Sequence, residues 1–453
     1  MTTLNQRRPW IIAACAGILI FIAFTAWGDI PANANLELFW LQASLFLLVI
    51  CAFALVFWHL LIRPLAPHLR QPQSAALTVR AREALALILA SGGVATVIGG
   101  VWDELWHRRY GIPFGEDLFW RPHLLMYFGF ATAIFGGFWA LRYLNRNLRG
   151  NFQQRFRSNR LVGLLILNTA FLLYALPADP LWHWIFGEDI TAWSIPHLIL
   201  LTSFVLTQLL ALVMQASTLR RREWRVIVRL PLRDGLALVI VAGIQLLWIQ
   251  LLLIDWDAAL AGISPASLGL YRPEWLLAAN LLACVTFTGV IATRVLRCAG
   301  AATAAGLLAL VIRVGLIQLF DADMLQFVAW LAALLPLLAI DIWAFYCGKI
   351  RQREPDWRGT AGAVIVAMAI NLPVIQSLYK FDSIDALPYL AAILVTGVGM
   401  SWLANQIAHA MLRQRDESVA TASPAIKPVA SAAVAAAYFA FIFAFITTAA
   451  PPV

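Results

Sequence analysis

Two short stretches of the chain repeat one set of residues able to do chemistry. The first reads Asp103-Glu-Leu-Trp106-His107, then Phe114-Gly115-Glu116-Asp117, then Trp120-Arg-Pro122-His123-Leu. The second reads Asp179-Pro-Leu-Trp182-His183, then Phe186-Gly187-Glu188-Asp189, then Trp193-Ser-Ile-Pro196-His197-Leu. The blocks keep their order while the insertions between them differ, which marks a duplicated unit and not low complexity. Four of the seven histidines in the chain fall on it.

Imidazole and carboxylate are the ligands that iron, copper(II), zinc and manganese accept, and two histidines with one carboxylate form a common open-sided set. The candidate ligands are therefore His107, His123, His183 and His197, with Asp103, Asp117, Asp179 and Asp189. A divalent transition metal is the expected cofactor, copper or iron first, with zinc and manganese as alternatives. Haem held by paired histidines is a lesser fit. Aspartates outside the coordination sphere would hydrogen-bond the second ring nitrogen of each imidazole. Without metal, the same groups would form Asp–His clamps tying the hairpins together or relaying protons. Met126 and Tyr127 follow His123; Met126 could add a soft ligand suited to copper, but a core role is the simpler one. The neighbouring tryptophans suit either a dry wall around the site or an interfacial belt.

Helices must position these groups. Asp103/His107 and Asp179/His183 are four apart, so each pair shares a face if helicity continues through it. Pro122 and Pro196 suit the first turn of a helix, where a missing N–H is harmless. Each unit, 84–145 and 161–217, then reads as a helix running out, a loop and a helix running back.

Those helices lie in a membrane. Of the 453 residues 62% are hydrophobic and 13% charged, too little polar surface for a soluble protein of this size. Roughly thirteen apolar runs are long enough to cross a bilayer: 10–27, 39–62, 84–105, 122–143, 161–178, 196–217, 234–254, 275–293, 300–319, 325–346, 361–379, 387–411 and 428–448. The expectation is an all-α polytopic membrane protein, one domain over 1–453, with the units flanked by spans in 1–83 and 234–453. Alternate connections hold 27 of the 33 basic residues, which places the N-terminus in the cytoplasm and the duplicated hairpins at the outer face. A bacterial inner membrane and an uncleaved first helix are expected. The opposite connections hold 16 of the 24 acidic residues, a face that attracts cations. The net charge of +9 thus reflects orientation and anionic lipid, not nucleic-acid binding.

Arg313 is the exposed problem of this layout, a cation about 12 Å inside a span at 1.5 Å per residue. An outer carboxylate such as Glu274 or Asp257, an anionic substrate group or a role as a structural clamp would each account for it, and all three residues join the candidate site. Tyr271-Arg-Pro-Glu274-Trp275 also echoes Trp120-Arg-Pro-His123, with Glu in place of His. Asp341 sits close enough to the end of its span to reach the interface. Gly92, Gly93, Gly99 and Gly100 should admit a neighbouring helix. The five cysteines lack paired spacing and read as core residues, and His59, His68 and His409 lie far from the cluster. No nucleotide-binding, nucleophile-elbow or His-Glu-x-x-His motif is present.

A metal-dependent membrane oxidoreductase acting on a small or lipid-soluble substrate fits these features. Its ligand chemistry is similar to that of membrane-bound copper or iron monooxygenases, without their sequence motifs. A cation or proton-coupled transporter would use the same acidic face. Asp103-Glu104 resembles the acidic pair of multi-span lipid-linked glycosyltransferases, over those two residues alone. A non-catalytic subunit or assembly factor of a respiratory complex, with membrane protein partners, is the fourth reading.

Overall fold

The computed structural model describes residues 77–110, 119–147, 150–186, 195–218, 223–227, 232–260, 274–319, 329–379, 386–412 and 428–448, with isolated positions between 41 and 56. The first expected span, most of the second and most of the loops carrying the duplicated unit lie outside them. The long elements are all helical: α1 (Val79–Tyr110), α2 (Arg121–Asn147), the short α3 (Phe152–Ser158), α4 (Arg160–Phe186), α5 (Ile195–Ser217), α6 (Leu232–Leu260), α7 (Glu274–Leu296), α8 (Ala301–Leu319), α9 (Leu334–Phe345), α10 (Trp357–Tyr379), α11 (Ala386–Leu412) and α12 (Pro428–Thr447). Among the described residues nine helices are long and apolar enough to cross a membrane. The chain is an all-α, multi-pass membrane protein.

The duplicated hairpins α1–α2 and α4–α5 pack as a closed ring of four helices, with α2 against α4 and α5 against α1. In lipid there is no hydrophobic drive between helices, so small residues and polar links must do the joining. At the α1–α2 seam a Cβ on Gly92 would collide with Thr132, and one on Gly129 with Thr96. The other three seams each carry a side chain bonded to a facing carbonyl. Thr169 donates to Ala133 (3.1 Å), Asn168 to Ser203 (3.0 Å), and Gln208 to Leu89 (3.0 Å). Gln208 occupies the space a Cβ on Gly93 would need. Replacing Gly92 with valine should therefore lower stability by about 2 kcal/mol through overpacking, read as a drop in the thermal unfolding midpoint in detergent.

Helices α6 and α8 to α11 surround α7, while α6 also touches α1 and α5 and so joins the two groups. Helices α7 and α11 run side by side in the same direction. Tyr389 donates to Glu274 at one end (3.3 Å), and Arg294 lies 3.4 Å from His409 at the other, both pairs 115 residues apart in sequence. A two-residue parallel bridge pairs Arg225–Val226 with Cys298–Ala299 at the Arg294 end. The described cysteines are free, and Cys284, Cys298 and Cys347 are buried, as core residues should be.

Asp341 departs from its expected interfacial role. It is buried, and its two carboxylate oxygens accept the backbone N–H groups of Ala302 and Thr303 at the start of α8. Those donors have no partner within their helix, and the carboxylate meets both them and the positive end of the dipole. Asp341→Ala should lower stability by roughly 1–2 kcal/mol, again visible in thermal unfolding.

Candidate metal centre

Helix α4 does not stop at Pro177 or Pro180 but runs through both to Phe186. That continuation places Asp179 and His183 one turn apart on one face. Helix α5 begins at Ile195, with Pro196 and His197 in its first turn, where the proline ring is tolerated. Across the hairpin, His197 Nε2 lies 3.5 Å from Asp179 Oδ1, and His183 Nε2 lies 3.8 Å from the same oxygen. One donor atom from each of the three residues falls within 4.8 Å of the others. The imidazole rings meet edge to face, with centroids 5.9 Å apart and planes at 60°. Ligands about 2.1 Å from a tetrahedral ion stand about 3.4 Å apart, so the two measured separations need only small side-chain rotations. All three side chains are partly exposed, while Asp179 Oδ1 is itself shielded from solvent.

The first copy is arranged differently. Asp103 on α1 reaches across to His123, in the first turn of α2, with Nε2 and Oδ1 3.1 Å apart. That separation is shorter than either in the second copy, and Asp103 Oδ1, like Asp179 Oδ1, is shielded from solvent. Tyr127, one turn further along α2, lies beside the His123 imidazole, with ring centroids 6.2 Å apart.

Glu104 turns the other way. Its carboxylate is 4% exposed and accepts a hydrogen bond from Arg313 Nη1 at 3.0 Å, with the arginine side chain fully buried. The guanidinium also lies over the Trp330 ring, 5.7 Å from its centroid. The cation inside the span is thus neutralised by α1. Glu274, one of its expected partners, pairs instead with Tyr389 on α11.

His107 belongs to α1, which continues to Tyr110, so its backbone is one turn beyond Asp103; its side chain is outside the described residues. The side chain of Asp257, on α6, is outside them too, as are Asp117 and Asp189. Met126 and Tyr127 pack against the cluster of Phe130, Ala133 and Leu172, for Met126 the core role expected of it. Of the tryptophans, Trp102 and Trp182 are fully buried beneath the carboxylates, whereas Trp184 faces outward.

Two contacts escaped the sequence reading. Glu104 could have been found by asking which carboxylate faces inward from α1, since its neighbour Asp103 already occupies the other side. Arg121 donates to the Phe445 carbonyl (2.8 Å) and Thr448 (2.9 Å) at the end of α12, a cation at a helix C-terminus. Comparison of the chain with protein-family models, with curated proteins and with solved structures found no match to any of them.

Proposed function

We propose that Asp179, His183 and His197 bind one divalent transition-metal ion, and that the protein is a metal-dependent membrane oxidoreductase. The observation that carries this reading is the convergence of three donor atoms within 4.8 Å at the mouth of the helical ring. Two imidazoles and one carboxylate on one side of an ion leave coordination positions open, the arrangement suited to non-haem iron and, less closely, to copper. An ion so held would supply Lewis acidity and one-electron chemistry to oxygen or water. The basic connections orient the chain with its N-terminus in the cytoplasm and about thirteen spans, so the site would open to the outer side of a bacterial inner membrane. A small or lipid-soluble substrate would reach it from that face.

The engagement of Arg313 with Glu104 supports this reading over the transporter and the glycosyltransferase. The buried cation is already neutralised, and the two members of the Asp103-Glu104 pair face different partners. The test is metal analysis of the purified protein after chelation and reloading with iron, copper, zinc or manganese. One equivalent per chain, lost in His197→Ala, is the expected outcome. A wild-type protein that retains none of the four overturns the assignment.

A further inference from the structure

The buried face of α8 runs through Ala302, Ala305, Gly306, Ala309 and Arg313, and it meets more polar groups than its apolar sequence suggests. At Gly306 it faces the Gln245 side chain from α6, whose Nε2 would stand 3.8 Å from an added Cβ. Cys284 on α7 donates its S–H to the Gln245 carbonyl (3.7 Å), so three helices meet at that depth. Helices α7 and α8 run in opposite directions there: Gly289 faces Ala302, whereas Gln245 joins Cys284 to Gly306. Asn280, one turn before Cys284, therefore lies at a depth between Gly306 and Arg313. Arg313 itself stands about 10 Å beyond Gly306, at 1.5 Å per residue.

These groups need more hydrogen bonds than the protein supplies. Gln245 and Trp330 are buried, and the Arg313 side chain is fully so. Gln245 Nε2 and Oε1, Asn280 Nδ2, Arg313 Nε and Nη2, and Trp330 Nε1 are all shielded from solvent, with no hydrogen-bond partner among the described residues. A buried polar group without a partner is costly inside a lipid-embedded bundle, and six such atoms along one seam point to a ligand. Five of them are donors and one is an acceptor, so the ligand must both accept and donate. The Glu104 carboxylate already balances the guanidinium charge, which disfavours an added anion. Water meets both conditions, and a buried water typically makes about three hydrogen bonds.

We propose that the seam of α6, α7 and α8 holds a file of bound water running from the Arg313–Glu104 pair to Gln245. About three molecules, at an O–H···O spacing of roughly 2.8 Å, cover that distance. One end of the file bonds the Nε–Nη2 edge of the guanidinium and the Trp330 indole. Asn280 donates to it midway, and Gln245 closes it by accepting from one molecule and donating to another. The site is independent of the metal reading. It makes Gln245 and Arg313 water-binding residues and leaves this part of the membrane interior wet.

Radiolytic footprinting of the full-length protein in detergent tests this directly. An X-ray pulse turns bound water into hydroxyl radical where it sits, and the radical marks the reactive side chains beside it. Trp330 and Cys284 should be oxidised several-fold faster than Met214 and Met368, which are also buried and carry readily oxidised thioethers. Cys284 should meanwhile resist a charged, water-soluble thiol reagent, as a closed site requires. Gln245→Leu should slow the oxidation of Cys284 several-fold, and the wild-type comparison stands whether or not that variant folds. Trp330 and Cys284 oxidised no faster than the two methionines, or Cys284 oxidised at an unchanged rate in Gln245→Leu, would overturn the proposal. Ready reaction of Cys284 with the charged reagent would overturn it in favour of an open aqueous channel.

Discussion

Asp179→Ala should abolish stoichiometric metal binding, the largest functional effect of any single substitution in the chain. Its Oδ1 is the atom both histidines approach, at 3.5 and 3.8 Å, so no other group among the described residues can take its place between them. Removing it takes away the one carboxylate oxygen that both imidazoles, from different helices, approach. Loss of an outer-shell partner alone typically lowers metal affinity by roughly 10- to 100-fold, and loss of a ligand should exceed that. Metal analysis after dialysis against micromolar metal reads the result directly. Asp179→Asn keeps an oxygen in place and should retain weak binding, which separates a lost ligand from a lost fold. Full retention of metal in Asp179→Ala would remove the centre from this hairpin.

Arg313→Met should be the most destabilising substitution, by about 3–5 kcal/mol, because it strands Glu104 as an uncompensated charge in a low-dielectric interior. The double variant Arg313→Met/Glu104→Met should return most of that loss. Two well-packed apolar side chains often replace a buried ion pair at little net cost, since neither charge then has to be desolvated. The cation over Trp330 adds a contact that methionine replaces only in part. A double-mutant cycle by thermal unfolding in detergent measures the coupling. Additive losses in the two single variants would mean that the 3.0 Å contact contributes little, and that each residue acts through separate neighbours.

Membrane residence, helix positions and the duplicated hairpin were legible in the sequence because they rest on local signals. These are apolar run length, the Pro-His helix starts and the four-residue spacing of Asp179 and His183. The glycines of α1 were legible for the same reason, since a missing side chain on a spanning helix has few other uses. The expected span 161–178 stopped short of the end of α4. Proline removes a backbone donor and ordinarily ends or kinks a helix, yet α4 continues to Phe186, and that continuation brings His183 under Asp179. The partner of Arg313 was not legible. A mid-span cation announces that it needs a carboxylate, but which one depends on which helix packs against α8, and that is decided by tertiary arrangement.

The parallel pairing of α7 with α11 carries a consequence for biogenesis. Every helix between them must leave the insertion machinery before α7 can meet its partner, a separation of 115 residues at both ends of the pair. At 5–20 residues per second that is a wait on the order of ten seconds. During it Glu274 and Arg294 have neither Tyr389 nor His409 beside them. A nascent chain arrested before α11 emerges should therefore be captured by insertion chaperones and degraded, even though the hairpins bearing the histidines would already be complete.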